Sequence, residues 1–486
     1  MHASPRWTRA LLLDAFSERR VAVGANVALL SVLALRAAHE PVGDPDAWWI
    51  AAAGRELLAR GSVPRVNGWS ITDPGIPWVF HEWLLSPVYA LGAGRWGSAF
   101  IATLGVLGAC ATLAAMRFAH RRAGVRDDTA AWTFFAALLA GQASLVSPRP
   151  GYALLSLPLL ALGLTRAPTW TRATVASLTL LTALWTNAHG SFPLALALIA
   201  AAVMRAEGAE RRTRLLALLL AGLATLANPY GLSLHGLVGR YLAGGDPMAA
   251  VLRREVLEFR PLWTWPAPFA NPWVLAACLG VSLLALHALR RGTRGARVDG
   301  VFTLLLVAMG ALQSRHLVLA AVLGLALLAP HLDALRGPRG SWSLPRVPWI
   351  LAPAVVLALL LARAAPRDHV AIGVGGAGLP ALTADLADAR AWVPFDATGW
   401  FLWNARAHAD ARLLFDARND CHRAAVALDA LALERGAGDA CATLRRRGVR
   451  VVLAETNHPA LQRILRCEGW RVTREAGGWS RAEAGD

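Results

Sequence analysis

Asp44-Pro45-Asp46 stands just beyond the first long apolar run of the chain, and Trp48-Trp49 follows at once. An ionised carboxylate that loses its water costs several kcal/mol, so two of them kept beside a membrane surface point to a task. Acids one residue apart can act as a general base and its orienting partner, or can hold a divalent cation. A local reading competes: Asp46 precedes Ala47-Trp48-Trp49-Ile50-Ala51, a good helix start, and Asp is a preferred helix cap. In the same connection, His81-Glu82 precedes Trp83 and an amphipathic run to Leu91. A histidine titrates near neutral pH and a glutamate can orient it or serve as an acid. A capped interfacial helix accounts for that pair equally well.

Cationic groups stand in other connections between apolar runs. Arg149 lies in Ser147-Pro148-Arg149-Pro150, Arg260 in Glu258-Phe259-Arg260-Pro261, and Arg315 is followed by His316. A guanidinium fork matches a phosphate; for Arg149 and Arg315 the competing reading is headgroup anchoring. His189, in Asn187-Ala188-His189-Gly190, occupies a tight turn, where a lone histidine is more often a turn residue than a catalyst. Trp48 and Trp49 read as an interfacial aromatic belt, with sugar stacking as the alternative. Asn228-Pro229-Tyr230-Gly231 reads as a helix-ending turn, and Gly373-Val374-Gly375-Gly376 as flexible linker rather than a phosphate loop.

The elements that must position these residues are apolar helices. Of 486 residues, 56% are hydrophobic and only 17% charged, and the mean hydropathy is +0.42, which describes a polytopic membrane protein rather than a soluble domain. The net charge of +17 is carried by arginine alone, scattered between apolar runs. That pattern reads as topology and not as nucleic-acid binding. Runs at 21–38, 97–118, 130–146, 152–165, 173–186, 192–204, 215–227, 272–289, 300–312, 317–329 and 348–362 give about eleven candidate spans, several shorter than the usual ~20 residues. Arginines crowd the even connections, among them Arg121, Arg122, Arg166, Arg205, Arg290 and Arg339. The expectation is therefore a cytoplasmic N-terminus (1–20), a membrane domain (21–364) with a large first outer loop (39–96), and an outer C-terminal domain (365–486). Every polar cluster named above then falls on the outer face.

Beyond residue 365 hydrophobicity drops and short alternating runs appear at Trp400-Phe401-Leu402-Trp403, Arg412–Phe415, Val449–Leu453 and Trp470–Val472, with helical periodicity over Arg423–Glu434 and Pro459–Glu468. This predicts a small α/β domain of about 120 residues with its own core. It holds Cys421, Cys441 and Cys467, so one disulfide is expected in an oxidising compartment. Cys110 and Cys278 lie in apolar runs as core residues.

Taken in order, these residues resemble bacterial integral membrane proteins of the GT-C glycosyltransferase type. The similarity runs through Asp-x-Asp after the first span, Gly54, Gly61-Ser62-Val63-Pro64, Trp69-Ser70, Trp78 and His81-Glu82-Trp83-Leu84. It continues through Arg149-Pro150, Asn187–Gly190, Asn228–Gly231, Glu258–Pro261, Arg315-His316, Thr398–Trp403 and Phe415–Asp420. Ile50 departs from it, standing where such proteins carry a histidine. The resemblance implies transfer of a sugar from a polyprenyl-phosphate donor to an acceptor of the cell envelope at the outer face of the cytoplasmic membrane. It implies Asp44 or Asp46 as the base, with Arg149, Arg260 or Arg315 and His316 steadying the leaving phosphate. His81 and Glu82 complete the candidate catalytic set, and His189 the candidate binding set. The acceptor, glycan, lipid or protein, is not specified. The competing class is a non-catalytic envelope scaffold or a carrier of lipid or polysaccharide.

Overall fold

The computed structural model describes residues 18–39, 44–243, 246–264, 272–335, 378–383, 386, 389–405 and 411–485. The expected last span at 348–362, the glycine linker at 373–376 and most of the N-terminal arm lie outside them.

Helix α1 covers Glu18–His39, and the connection after it holds α2 (Pro45–Arg60) and α3 (Ser86–Trp96). There follow α4 (Ser98–Arg122), α5 (Asp127–Leu145), α6 (Pro150–Ala153), α7 (Ser156–Thr165), α8 (Arg172–Ala188), α9 (Pro193–Arg205), α10 (Gly208–Ala224), α11 (Leu232–Ala243), α12 (Pro247–Glu255), α13 (Pro272–Arg291), α14 (Arg294–Leu312) and α15 (Leu317–Leu335). Among the described residues, four segments are long and apolar enough to cross a bilayer: Ser98–Arg122, Pro272–Arg291, Arg294–Leu312 and Ser314–Leu335. Pro150–Thr165 and Pro193–Arg205 are apolar but shorter; at 1.5 Å per residue, a thirteen-residue helix reaches about 20 Å of the ~30 Å hydrocarbon layer. Length alone thus gives fewer full spans than the eleven apolar runs. Leucines on several helices face outward, as at Leu180 (61% exposed), Leu219 (59%), Leu279 (62%) and Leu305 (63%), a pattern that needs an apolar solvent. The chain is a multi-pass membrane protein with this helical body.

Ion pairs sort the connections onto two ends. At one end Arg117 pairs with Asp127, Arg126 with Asp333 (2.8 Å), Arg166 with Asp299 (2.8 Å), Arg205 also with Asp299, and Arg294 with Glu207. These tie the α4–α5 connection to the end of α15, and the α7–α8 and α9–α10 connections to the start of α14. The remaining connections gather at the opposite end, where the candidate residues lie.

The C-terminal part is α/β. Helix α16 (Gly378–Thr383) precedes β1 (Arg390–Trp392), α17 (Thr398–Ala405), β2 (Arg412–Leu413), α18 (Ala424–Glu434), α19 (Ala440–Arg447), β3 (Val451–Glu455), α20 (Pro459–Ile464), β4 (Trp470–Ala476) and β5 (Trp479–Ala484). The sheet has the order β2-β1-β3-β5-β4, with β2, β1 and β3 parallel and β5 and β4 antiparallel. Trp400–Trp403 is helical rather than a strand: Trp400, Phe401 and Leu402 are all buried against α2, so an apolar run short enough for either element is settled by its packing. Cys441 and Cys467 form a disulfide, while Cys421 is a buried free thiol.

The connection after α1 and the C-terminal part share one core. Ile71 N donates to Leu413 O (2.9 Å) and Leu413 N to Trp69 O (2.8 Å), so the first loop extends the β2 edge of the sheet. Trp48 and Trp49 are 2% and 6% exposed. Trp48 packs on Trp403 of the C-terminal part and Trp49 on Trp78 and Phe80 of its own connection, which overturns the interfacial-belt reading: these contacts remove both rings from the surface.

Candidate active site

The N-terminus of α2 carries the acid pair. Asp44, not Asp46, is its cap: Asp44 Oδ1 accepts from Asp46 N (2.9 Å), Pro45 holds the first helical position, and Asp46 sits in the first turn. A proline fits there because its missing N–H would have no helical partner. Asp46 has both oxygens engaged, Oδ1 by Trp49 Nε1 (2.9 Å) and Oδ2 by Arg149 Nε (2.6 Å). Asp44 Oδ2 takes no hydrogen bond among the described residues and its side chain lines a cavity of about 560 Å³. Burial pushes the Asp44 carboxyl up to about 7; Arg149 pulls against this, while Asp46 and Glu258 add to it.

Arg149 stands in the turn between α5 and α6. Gly105 of α4 leaves no room for a side chain against the Val146 carbonyl, so that turn seats on the helix. Arg149 N donates to Ser147 Oγ (3.2 Å) and Tyr89 Oη to the Pro148 carbonyl. From this fixed backbone the guanidinium reaches Asp46 through Nε and Glu258 through Nη1 (2.6 Å) and Nη2 (3.0 Å). The charges reinforce one another: the carboxylates hold Arg149 well above the usual arginine range against the cost of burial, and Arg149 leads Arg315 in holding Glu258 below the usual range against its own burial. Arg315 lies 3.9 Å from Glu258 Oε1 with its guanidinium 4.5 Å from the Phe259 ring centroid. It is the less committed of the two cations. His316 follows it and neighbours the same charges. Arg260 does not join this cluster: its carbonyl accepts from Ser314 N (3.2 Å), and its buried Nε has no partner among the described residues.

Residues 81–85 form a turn, and the helix expected from Trp83 starts at Ser86. That turn is pinned to the α8–α9 turn by Trp83 Nε1 to Asn187 Oδ1 (2.9 Å) and Leu84 N to Asn187 O (3.2 Å). His81 and His189 thereby flank Glu82, with Nε2 atoms 3.7 and 3.8 Å from its Oε1 and ring centroids 6.0 Å apart. His189 Nδ1 accepts from Ser191 N (3.1 Å), which leaves Nε2 as the protonated nitrogen of the neutral ring, facing Glu82. Burial, then the nearby Asp46, drives the Glu82 carboxyl well above its usual range, and burial lowers both histidines. A neutral acid flanked by two neutral imidazoles, each just beyond hydrogen-bond distance, is a polar cluster more than a charged centre.

The C-terminal part closes the cavity. Gly399 of α17 has no room for a Cβ against the Pro45 carbonyl, so α17 meets α2 backbone to backbone beside Asp44 and Asp46. Arg55 fixes the same contact, donating to Trp403 O (2.7 Å) with its guanidinium 4.3 Å from the Trp403 ring. A second latch is Arg418, fully buried between Trp69 (4.0 Å) and Trp78 (4.5 Å), bonded to Asp416 through Nε (2.9 Å) and Nη2 (2.7 Å) and to Asn67 Oδ1 (2.9 Å). Arg418 and His422 hold the Asp416 carboxyl far below its usual range against burial. The wall opposite Asp44 holds Phe395, Asp396, Glu434 and Arg435. Glu258 and this wall carry no local sequence signature; Glu258 lay inside a motif already noted, but its pairing with Arg149 spans more than a hundred residues.

The acid pair does not fit a divalent cation as it stands. Both Asp46 oxygens and both Glu258 oxygens are taken, and among the described residues no group of three or more His, Cys, Asp or Glu side chains is disposed to hold a metal.

No protein-family model and no curated protein sequence matches the chain. Solved structures do. The archaeal oligosaccharyltransferase AglB of Archaeoglobus fulgidus, in complex with an inhibitory peptide and a dolichol-phosphate, superposes with a TM-score of 0.57 at 10% identity, over 95% of this chain and 74% of that one. ArnT of Cupriavidus metallidurans bound to undecaprenyl phosphate gives 0.51 at 15% identity, over 95% and 97%. Its apo state gives 0.50 at 14%, over 94% and 96%. The chain therefore shares the fold of these two proteins. At such identities the likeness carries the fold; the chemistry has to be argued from the site.

Proposed function

We propose that this protein transfers a sugar from a polyprenyl-phosphate donor to an envelope acceptor, with Asp44 as the general base. The observation that carries the reading is the free Asp44 Oδ2 lining a cavity whose floor is the Asp46–Arg149–Glu258 network. A carboxyl raised to about 7 is matched to taking a proton near neutral pH. In the proposed step the acceptor hydroxyl gives its proton to Asp44 as its oxygen bonds to the anomeric carbon. The anomeric C–O bond breaks, and the lipid phosphate leaves with the electron pair. Arg315, paired loosely to Glu258, is the cationic group of the cluster still able to meet that charge. Arg149, saturated by two carboxylates, is the frame of the site. The lipid phosphates named for AglB and ArnT support a lipid-linked donor here.

The arginine-rich end is proposed to face the cytoplasm and the site end the outer side of the cytoplasmic membrane. The Cys441–Cys467 disulfide supports this, since such bonds persist in oxidising compartments. No step is routed through a metal. The test is transfer by the purified protein from a panel of radiolabelled polyprenyl-phosphate sugars, wild type beside Asp44→Asn and Asp46→Asn. Transfer lost in Asp44→Asn establishes the reading and names the donor. Neither transfer nor donor binding across the panel overturns it in favour of a scaffold.

A further inference from the structure

We propose that Arg149 is the built-in counter-cation of this cleft, occupying the place a divalent metal would otherwise take, so that the site binds no such metal while Arg149 is present. Carboxylates from two distant connections, Asp46 and Glu258, converge on one guanidinium from its two sides, at 2.6 Å from Nε and 2.6 and 3.0 Å from Nη1 and Nη2. Three acids in reach of one another are the donor type that hard divalent cations select, yet such an ion needs several free oxygens at once. Here a cation already sits among those oxygens: Asp46 gives one oxygen to Trp49 and one to Arg149, Glu258 gives both to Arg149, and Asp44 accepts at Oδ1 from the α2 backbone. A divalent ion would have to share the Asp46 and Glu258 oxygens with a guanidinium that repels it. Charge agrees: Arg149 and Arg315 already offset two of the three acids.

The guanidinium is also held in place by its backbone. Its turn is set by Gly105 against Val146, by Ser147 Oγ and by Tyr89 on Pro148, and the guanidinium itself is held by its bonds to Asp46 and Glu258. A guanidinium keeps its charge at every pH a protein meets and is not lost to chelators. It sets Asp46 and Glu258 in position for whatever Asp44 does, and so acts as a positioning residue rather than as a ligand of the donor.

The inference rests on reading this cleft as the reactive site, but its test does not depend on transfer being observed. Full-length protein in detergent, purified without chelator, is assayed for bound metal by mass spectrometry and titrated with Mn²⁺ by electron paramagnetic resonance. Wild type, Arg149→Ala and Arg149→Ala with Asp46→Asn are compared. Expected are wild type with well under one equivalent of metal and no Mn²⁺ site, gain of about one Mn²⁺ per chain in Arg149→Ala, and loss of that gain when Asp46 is also changed. A merely structural ion pair would give no such gain. Wild type carrying about one equivalent of metal that depends on Asp46 overturns the inference, as does a folded Arg149→Ala that binds no Mn²⁺. Where Arg149→Ala does not fold, the wild-type measurement alone decides, in the same two directions.

Discussion

Asp44 is asked to do two things with two oxygens, and a pair of substitutions separates them. Oδ1 caps α2 by accepting from Asp46 N at 2.9 Å; Oδ2 faces the cavity. Asparagine caps about as well as aspartate, whereas alanine costs about 1 kcal/mol of helix stability. Asp44→Asn should therefore fold as well as wild type, and Asp44→Ala slightly worse. The sign of the pH dependence follows from the carboxyl's rise from 3.8 to about 7 in the folded state. The ionised form is disfavoured by folding, so Asp44 takes stability away as pH climbs from about 4 to about 7, with no further loss above. Asp44→Asn removes that decline, so its stability above pH 7 should equal or exceed wild type. Activity moves the other way. A base must be ionised, so wild-type transfer should rise through about pH 7 and then level off. Losing a positioned base typically removes about 10²–10⁴ of rate, or about 3–5 kcal/mol of transition-state stabilisation. The assay is transfer of labelled sugar from pH 5.5 to 9 with thermal unfolding measured alongside. Asp44→Asn that keeps a tenth or more of wild-type transfer, while Asp44→Ala loses both stability and transfer, would refute the argument: the residue would then be a cap and nothing else.

Arg315→Ala should leave the fold intact and weaken use of a phosphate-linked donor by about ten- to a hundredfold in kcat/KM, since a charge-assisted contact contributes about 1.5–3 kcal/mol; equal kinetics in the variant would remove Arg315 from the site. Gly399→Val puts a side chain into the Pro45 carbonyl, and overpacking of that kind costs about 1–3 kcal/mol. Lower melting temperature together with lost transfer is expected, because the clash falls beside Asp44. Cys441→Ser opens a loop of sequence separation 26 and should destabilise the C-terminal part by about 2–4 kcal/mol. Limited proteolysis with and without reductant reads this directly, and unchanged cleavage would show that the bond is dispensable.

Much of the site was legible because membrane insertion reduces a three-dimensional problem to an alternation. Once apolar runs and arginines assign connections to two ends, Asp44, Asp46, His81, Glu82, Arg149, His189, Arg315 and His316 must share an end without any knowledge of packing. What alternation cannot give is who pairs with whom. Arg149 is drawn to Glu258 across 109 residues and to Asp46 across a comparable stretch. Arg260, two residues from Glu258, is left outside because its backbone turns toward Ser314. The same limit explains Trp48 and Trp49: tryptophans beside a span are normally interfacial, but Trp48 is covered by Trp403 of α17 and Trp49 by Trp78 and Phe80, about thirty residues on.

The sequence by itself determined the class of the protein, the crowding of the candidate side chains at one end, and a C-terminal α/β part, because hydropathy, charge and strand–helix periodicity are local quantities. Tertiary structure alone decided which acid is free and which is bound. Asp44 and Asp46 differ by one turn position on the same short motif. Local chemistry even favoured Asp46 as the cap, yet Trp49 and Arg149 occupy Asp46 while one oxygen of Asp44 is left facing the cavity. That asymmetry comes from a guanidinium supplied by a connection about a hundred residues away and from a wall supplied by the last third of the chain. No pattern within the motif encodes it, since both the desolvation that raises one carboxyl and the charge that fixes the other come from partners distant in sequence.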